Sequence, residues 1–234
     1  MRIRSSSLAL LILSGLAACN EPRTGANNVV RFTPLNCGNL LLGCTFDKSL
    51  GLWADSDVQI EGIDGFSTAG LDLLSSDPTV LTVNPIADQA GRPTWGLHGA
   101  GEGVAVLAAV DRNGAEVDFT EVAVRKAARL GLTRVLGDAV GPTLEGGAEV
   151  WTVNAEQPVS LQARMLVDQS AELIGRVVYT VTVPAGSRLL DSELGGSDRG
   201  KGYLYVQPPA GTYPFSFELG VDPTIKVDAI LKAQ

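Results

Sequence analysis

The chain has 234 residues, of which 45% are hydrophobic and 19% charged, and 26 acidic against 18 basic residues give a net charge of −8. This length suffices for one large or two ordinary domains with sizeable cores. The acidic balance argues against a nucleic-acid partner and against direct attraction to anionic lipid surfaces.

Residues 1–18 have the pattern of a secretory signal peptide. Arg2 and Arg4 precede an apolar run over residues 8–13, and small residues extend to Ala18. The apolar stretch is shorter than the roughly 20 residues that a membrane-spanning helix needs. A cleaved signal is therefore predicted, and a permanent transmembrane anchor is the weaker alternative.

The end of this segment, Leu16-Ala17-Ala18-Cys19, resembles the lipobox of bacterial lipoproteins. In that family the chain is cleaved before the cysteine, the thiol receives a diacylglycerol, and the new amino group is usually acylated. The resemblance implies that Cys19 is the lipidation site. The next residue is Asn20 and not the aspartate that retains such proteins at the inner membrane, which favours the outer membrane. Ordinary secretion with Cys19 as a free thiol is the alternative. Two or more acyl chains hold a protein on a membrane, whereas one does so only marginally.

Residues 19–36 are predicted to form the acylated N-terminus and a tether, because residues 20–28 are rich in Asn, Pro and Gly. Cys37 and Cys44 follow in the stretch LNCGNLLLGCTF. In an oxidising envelope they are expected to form a structural disulfide worth roughly 2 to 3 kcal/mol. A redox site would more typically have C-x-x-C spacing, and a metal site would need more ligands.

Residues 37–127 are predicted to form a β-sandwich of short strands. Val104, Val106, Ala108 and Val110 alternate along one strand face, and a second alternating run follows the turn Asp111-Arg112-Asn113-Gly114. Asn-Gly between alternating runs indicates a hairpin with a type I′ turn, here over residues 103–125. The 27 glycines and 12 prolines are spread along the chain, which fits many strands joined by turns.

The stretches LLSSDPTVLTV, Trp95-Gly96-Leu97 and residues 99–124 together resemble the bacterial Ig-like domain of group 2. The likeness covers roughly residues 46–127. It implies an Ig-like sandwich that serves as a rigid stalk or an adhesive module. The segment 84–93 departs from the family because it is longer than usual.

Residues 128–234 are predicted to form a second β-sandwich, which begins near Leu130. The run RVVYTVTVP is strongly β-prone and has alternate apolar residues from Val177 to Val183 on one face. The candidate strands are 148–153, 159–166, 174–183, 203–207, 215–219 and 225–231. The predicted fold is therefore all-β, with tandem Ig-like sandwiches after the signal peptide.

The stretch GGSDRGKG, residues 195–202, nearly matches the phosphate-binding loop G-x-x-x-x-G-K-[ST]. Gly202 stands where a magnesium-binding Ser or Thr is required, and the alternating run after it predicts a strand where a helix is needed. No nucleotide is therefore expected. Two solvated loops are candidate binding sites for another ligand, and their charged residues are Asp198, Arg199 and Lys201 in one, and Asp88 and Arg92 in the other.

No catalytic or metal constellation is predicted, and no cofactor. The chain has one histidine, His98, and lacks the G-x-S-x-G signature of a nucleophile elbow. Oxygen ligands for calcium could come from a group of acidic residues without the usual loop spacing, namely Asp47, Asp55, Asp57, Glu61 and Asp64. Solvated strand faces and turns are the preferred interpretation of that group.

The three tryptophans, Trp53, Trp95 and Trp151, are expected in the cores, although polysaccharide-binding modules often expose such residues. The function predicted from the whole sequence is a membrane-anchored, non-enzymatic binding, adhesion or spacer module. Its expected partners are the membrane, through the N-terminal lipid, and envelope proteins or polysaccharide. The alternatives are an accessory subunit of an envelope assembly and, less favoured, a carboxylate-dependent hydrolase.

Overall fold

The computed structural model describes residues 23–35, 46–89, 91–168, 171–183, 185–186, 188–189 and 202–234. Six residues with predicted roles lie outside these ranges, namely Cys19, Cys37, Cys44, Asp198, Arg199 and Lys201. The regular elements of the described ranges are all strands. Within those ranges no helix is long and apolar enough to cross a membrane.

The strands form four sheets. In chain order they are β1 (Arg23–Thr24), β2 (Val30–Leu35), β3 (Leu50–Gly51), β4 (Asp55–Gly62), β5 (Asp72–Ser75), β6 (Leu81–Gln89), β7 (Arg92–Gly99), β8 (Gly103–Val110), β9 (Glu116–Arg125), β10 (Arg129–Leu136), β11 (Ala139–Glu145), β12 (Ala148–Val153), β13 (Val159–Leu166), β14 (Tyr179–Thr182), β15 (Arg188–Leu189), β16 (Tyr203–Gln207), β17 (Gly211–Leu219) and β18 (Asp222–Ala233). Sheet A has the order β1-β2-β4-β7-β6 and sheet B the order β3-β9-β8-β5. Sheet C has the order β10-β13-β16-β15 and sheet D the order β11-β12-β18-β17-β14.

Sheets A and B make a first sandwich and sheets C and D a second, so the predicted all-β class with tandem Ig-like sandwiches is confirmed. In each sandwich the apolar faces of the two sheets bury large side chains, among them Phe32 and Leu107 in the first and Leu161 and Phe217 in the second. The buried residues of both sandwiches form one continuous apolar cluster. The two cores therefore meet where the sandwiches join.

The hairpin predicted for residues 103–125 is confirmed, with β8 antiparallel to β9. Its core-facing residues are out of phase with the predicted set as far as Ala109, and Val110 is buried as well because the register shifts between Ala109 and Val110. Ala105 and Leu107 are fully buried, whereas Val104 points outward and is 61% exposed. Small and large apolar residues occupy both faces of β8, so alternation alone did not reveal which face is covered.

The turn of this hairpin is longer than the predicted two-residue type I′ turn. The backbone amide of Asp111 donates to the carbonyl of Ala115, and its carboxylate accepts the amides of Asn113 and Ala115. Only Gly114 in this turn has a positive φ, at 78°. The aspartate side chain thus satisfies the amides of a five-residue loop, an arrangement that the Asn-Gly signal did not anticipate.

The assignment of residues 19–36 to a tether is wrong for the part that the structure describes. Strands β1 and β2 lie at the edge of sheet A, and β2 pairs along its length with β4. Val30 and Phe32 are fully buried in the first core. The alternation of Val30, Phe32 and Pro34 on one face, which the Asn-rich composition before it obscured, places this segment in the sandwich.

A buried carboxylate holds the segment in place. Asp118 in β9 is 0% exposed, and its Oδ1 accepts the amide of Asn27 at 2.7 Å while Oδ2 accepts those of Val29 and Val30 at 2.8 and 2.9 Å. Burial by itself raises the pKa of Asp118, but the amide hydrogen bonds outweigh it and hold the pKa below its usual value. An ionised side chain inside the sandwich therefore ties sheet B to the N-terminal strands.

In the second sandwich the strands predicted at 148–153, 159–166 and 203–207 have the observed bounds of β12, β13 and β16. The predicted strand 174–183 is shorter, because only Tyr179–Thr182 joins sheet D. Residues 174–176 pair with the first sandwich instead. Strand β11 was missed because most of its residues are exposed, so it carries little period-2 signal.

We expect Asp118→Asn to lower the free energy of unfolding by about 2–4 kcal/mol, because either orientation of the amide places its NH₂ group against backbone N–H donors. Since the pKa of Asp118 is depressed in the fold, its contribution is complete above the unfolded value near pH 4 and is lost as the pH falls through the folded value. Urea titrations from pH 7 to pH 3 measure both effects.

The exposed Asp138→Asn is the control, and it should leave stability at pH 7 within about 0.5 kcal/mol. An Asp118→Asn protein as stable as that control would refute the role of the buried carboxylate. So would a difference between wild type and Asp118→Asn that does not shrink in acid.

Candidate functional site: the junction between the sandwiches

The sandwiches are joined by backbone pairing and not only by the linker between β9 and β10. The amide of Gly51 donates to the carbonyl of Ile174 at 2.9 Å, and the amide of Ile174 donates to Ser49 at 3.0 Å. A reciprocal pair joins Asp55 and Arg176, at 2.9 and 2.7 Å. Residues 174–176 thus act as a short extra strand against the segment 49–55, and these four bonds orient one sandwich on the other.

Glycines permit this close approach. Gly175 has a φ of 115°, and a Cβ added there would lie 2.6 Å from the Cβ of Ala54 and 2.9 Å from Cδ1 of Leu50. A Cβ at Gly51 would lie 2.8 Å from Cε of Met165. Gly175 therefore requires glycine, because its φ and the nearby Ala54 Cβ both exclude a side chain, whereas at Gly51 the flexible Met165 side chain would have to move.

Ion pairs flank the backbone pairing. Nη2 of Arg176 contacts Oδ1 of Asp57 at 2.9 Å, and Asp57 is almost fully buried. The other oxygen of Asp57 accepts a hydrogen bond from Nε2 of Gln89 at 3.2 Å. Nζ of Lys48 contacts Oε2 of Glu172 at 3.1 Å. Buried and partly buried pairs of this kind favour one geometry over others, because separating them leaves a charge without compensation.

A second set of contacts lies at the linker. Nζ of Lys126 is 3.0 Å from Oδ2 of Asp222 and 5.6 Å from the ring centre of Trp53. Hydrogen bonds from the Thr224 hydroxyl, which has the larger effect, and from Lys126 hold the pKa of Asp222 below its usual value. Lys126 therefore connects an aromatic ring of the first sandwich with the β17–β18 turn of the second.

His98 has a partner of the kind that orients a catalytic histidine, but the pair is exposed. Its Nδ1 lies 2.8 Å from Oδ1 of Asp55, with both side chains about half exposed. A general base also needs a nucleophile within reach. In the part of the chain that the structure describes, no serine, threonine or cysteine is hydrogen-bonded to this ring. The pair thus belongs to the rim of the junction.

The other acidic residues of the predicted oxygen cluster are dispersed. Asp55 and Asp57 have the partners given above, and the remaining three, Asp47, Glu61 and Asp64, are exposed. Across residues 23–35, 46–89 and the later described ranges, no three His, Cys, Asp or Glu residues are close enough to hold a metal ion. The proximity of these residues in sequence did not become proximity in space, because β4 is extended.

The predicted loop 84–93 is a hairpin. Strand β6 reaches Gln89 and β7 begins at Arg92, with an irregularity between Ile86 and Gln89. Asp88 and Arg92 are exposed on the two strands of this hairpin. Their role as binding residues stays a prediction, but the segment carrying them is a paired element whose Gln89 contacts Asp57 at the junction.

The strand predicted after the glycine-rich stretch 195–202 is confirmed as β16. Gly202 has a φ of 84°, and a Cβ there would lie 2.8 Å from the ring of Tyr179. Close packing under an aromatic ring thus accounts for glycine at the position where a phosphate loop has Ser or Thr. The candidate residues Asp198, Arg199 and Lys201 themselves lie outside the described ranges.

Two of the three tryptophans are in the cores, as expected. Trp95 and Trp151 are 4% and 3% exposed, and Nε1 of Trp95 donates to Asp72 at 2.9 Å. Trp53 is different, because it is half-buried at the junction with a φ of 64°. Sequence reasoning missed the junction, and the only available signal was the glycines at 51 and 175 within otherwise β-prone runs.

We expect Gly175→Ala to weaken the junction, because its Cβ would contact Ala54 and Leu50. Gly147→Ala is the matched control, since Gly147 has a φ of 89° and open space around it. The junction variant should lose about 2 kcal/mol more stability than the control. Its Gly51 and Asp55 amides should also exchange hydrogen faster. Equal losses in the two variants, with unchanged exchange at Gly51 and Asp55, would contradict the steric explanation.

No protein-family model matches this sequence, and no curated protein matches it. Among solved structures the chain is similar to domains 5–6 of the S-layer protein SbsC, at 14% identity over 80% of this chain and 93% of that one, with a TM-score of 0.30. It is also similar to invasin, a bacterial integrin-binding protein, at 11% identity over 89% and 39%, with a TM-score of 0.32. The Yersinia pseudotuberculosis adhesin InvE gives 14% identity over 80% and 56%, with a TM-score of 0.30. Because these TM-scores are low, the fold is assigned from the strand order of the four sheets.

Proposed function

We propose that this chain is a lipid-anchored protein of the bacterial cell envelope, whose two sandwiches act together as a non-enzymatic binding, adhesion or spacer module. Cys19 would be the lipid attachment site, and the outer membrane is the favoured location. The ligands would be envelope proteins or polysaccharide. The resemblance of residues 46–127 to group 2 Ig-like domains supports the stalk or adhesive role.

The observation that carries the proposal is the junction. A spacer or adhesive module must hold its distal end at a defined position, which a flexible linker does not do. Four backbone hydrogen bonds and the Asp57–Arg176 and Lys48–Glu172 pairs restrain the relative orientation of the sandwiches. Such a restraint is expected of a unit that transmits position, whereas independent domains move relative to one another by default.

Support for the anchor comes from the sequence. A signal-like segment ending in Leu-Ala-Ala-Cys precedes the first strand by only a few residues, because β1 begins at Arg23. With the N-terminal strands held by Asp118, the proposed anchor would enter the first sandwich almost directly. The sandwich would thus lie close to the membrane surface, without the flexible tether expected from composition.

The anchor is tested by expressing the full chain in a bacterial host with an alkyne-labelled fatty acid. We expect the wild-type chain to incorporate label and to fractionate with membranes. Cys19→Ala behind a cleavable secretory signal should be unlabelled and released in the soluble periplasmic fraction. Label or membrane association that persists without Cys19 would rule out the proposed attachment, and Cys37→Ala with Cys44→Ala controls for other thiols.

A second candidate function, the accessory subunit of an envelope assembly, is favoured by the outer face of sheet B. Leu74 and Val104 are 50% and 61% exposed on the neighbouring strands β5 and β8. Phe119 and Ala108, which pair across β8 and β9, lie on the same face and are half-buried. An apolar sheet face of this kind is a characteristic protein–protein contact surface.

In-cell crosslinking followed by affinity capture distinguishes this candidate. If it holds, one envelope protein should be captured by the wild-type chain and lost with Leu74→Glu. Leu144→Glu, at a leucine of the second sandwich that is 76% exposed, should retain it. Capture that is insensitive to Leu74→Glu would remove the support that this face gives to the accessory-subunit role.

A further inference from the structure

A cleft of about 560 Å³ opens beside the junction and is built from both sandwiches. Asp47, Lys48, Ser49 and Arg125 line it from the first sandwich. The second contributes Arg164, Val167, Ala171, Glu172 and Leu173. Cavities of this size hold small organic ligands. Because both sandwiches line it, the cleft is a feature of the joined unit.

The charges in the cleft do not cancel. Lys48 and Glu172 pair with each other, and the carboxylate of Glu172 is largely buried by that contact. The remaining charged groups are the acidic Asp47 and the two guanidinium groups of Arg125 and Arg164. In a chain with 26 acidic and 18 basic residues, this local excess of positive charge runs against the overall balance.

The two arginines are not committed to protein acceptors. The Arg125 side chain has no hydrogen bond or ion pair among the described residues. Arg164 has a single long contact, from Nη2 to the carbonyl of Leu132 at 3.4 Å. Its Nε is buried and has no acceptor. A buried donor without an acceptor is costly, and an external acceptor such as a bound anion would relieve that cost.

The nearby carboxylate of Glu149 does not fill this role. Its Oε2 accepts the amide of Leu132 at 3.2 Å, and it forms no ion pair with Arg164 within 4.0 Å in the described structure. Burial raises the pKa of Glu149, and the charges of Arg129 and Arg164 only partly oppose that effect. Arg164 therefore retains a guanidinium group that can serve a ligand in the cleft.

We propose that the junction cleft binds an oxyanion group, a carboxylate, sulfate or phosphate carried by a small ligand, through Arg125 and Arg164. The planar guanidinium fork matches such groups with two parallel N–H···O bonds. Arg164 is half-buried, which strengthens its attraction for an anion relative to that of an exposed arginine such as Arg125. This inference names a ligand class for the proposed binding module and rests on that role only for its biological setting, because the cleft does not involve Cys19.

The test is titration calorimetry of the purified chain carrying Cys19→Ala, with sodium sulfate, phosphate and citrate as separate probes at constant ionic strength. We expect saturable binding of at least one probe with one site per chain. Arg125→Gln should weaken it at least tenfold. Arg164→Lys, which keeps the charge but removes the fork, should weaken it several-fold without changing the melting temperature by more than a few degrees.

Arg31→Gln is the matched control, because it removes an exposed positive charge on β2 of the first sandwich, outside the cleft. It should leave the affinity unchanged. The proposal is overturned if none of the three probes binds saturably at millimolar concentration, or if Arg31→Gln weakens binding as much as Arg125→Gln. Either result would leave the anchoring proposal intact, and loss of fatty-acid labelling at Cys19 would leave the cleft proposal intact.

Discussion

The pairing of residues 174–176 with the segment 49–55 is the constraint on which the rest of this molecule depends. Four backbone hydrogen bonds across that contact connect segments more than a hundred residues apart. Together with the ion pairs Lys48–Glu172, Asp57–Arg176 and Lys126–Asp222, they reinforce the short connection between β9 and β10, and domains joined by such a connection alone move relative to one another. With them the two cores become one apolar cluster, and a cleft forms beside the contact.

The same constraint explains an otherwise unusual use of polar residues. Asp57 would be costly at its buried position in β4, but Arg176 arrives from the second sandwich to compensate its charge. Asp118 solves the corresponding problem within the first sandwich, because backbone amides of the N-terminal segment surround its carboxylate. Both aspartates tie distant segments together at defined positions, which apolar contacts of the same area do less specifically.

The restrained junction also bears on where a ligand would bind. Loops at the ends of sandwiches are the usual location of binding sites, and the sequence directs attention to two of them. The structure shows that one of these, at 84–93, is a paired hairpin whose end contacts Asp57. The junction is therefore the better candidate for a binding site. The two sandwiches are held in a fixed orientation there, Arg125 and Arg164 have few protein acceptors, and a ligand would contact both sandwiches at once.

The sequence by itself determined what depends on local pattern. The signal-like segment, the all-β class, the hairpin at 103–125 and strands β12, β13 and β16 follow from alternation and turn residues, which act over a few neighbours. Tertiary structure decided which face of β8 is buried, that residues 23–24 and 30–35 are strands of sheet A, and that residues 174–176 pair with the first sandwich and not with sheet D. These outcomes depend on contacts with distant residues. The carboxylate of Asp118 accepts the amide of Val30, and Gly175 packs closely against Leu50 and Ala54. The partners are distant in sequence, and the energies of such contacts are not encoded in any local periodicity.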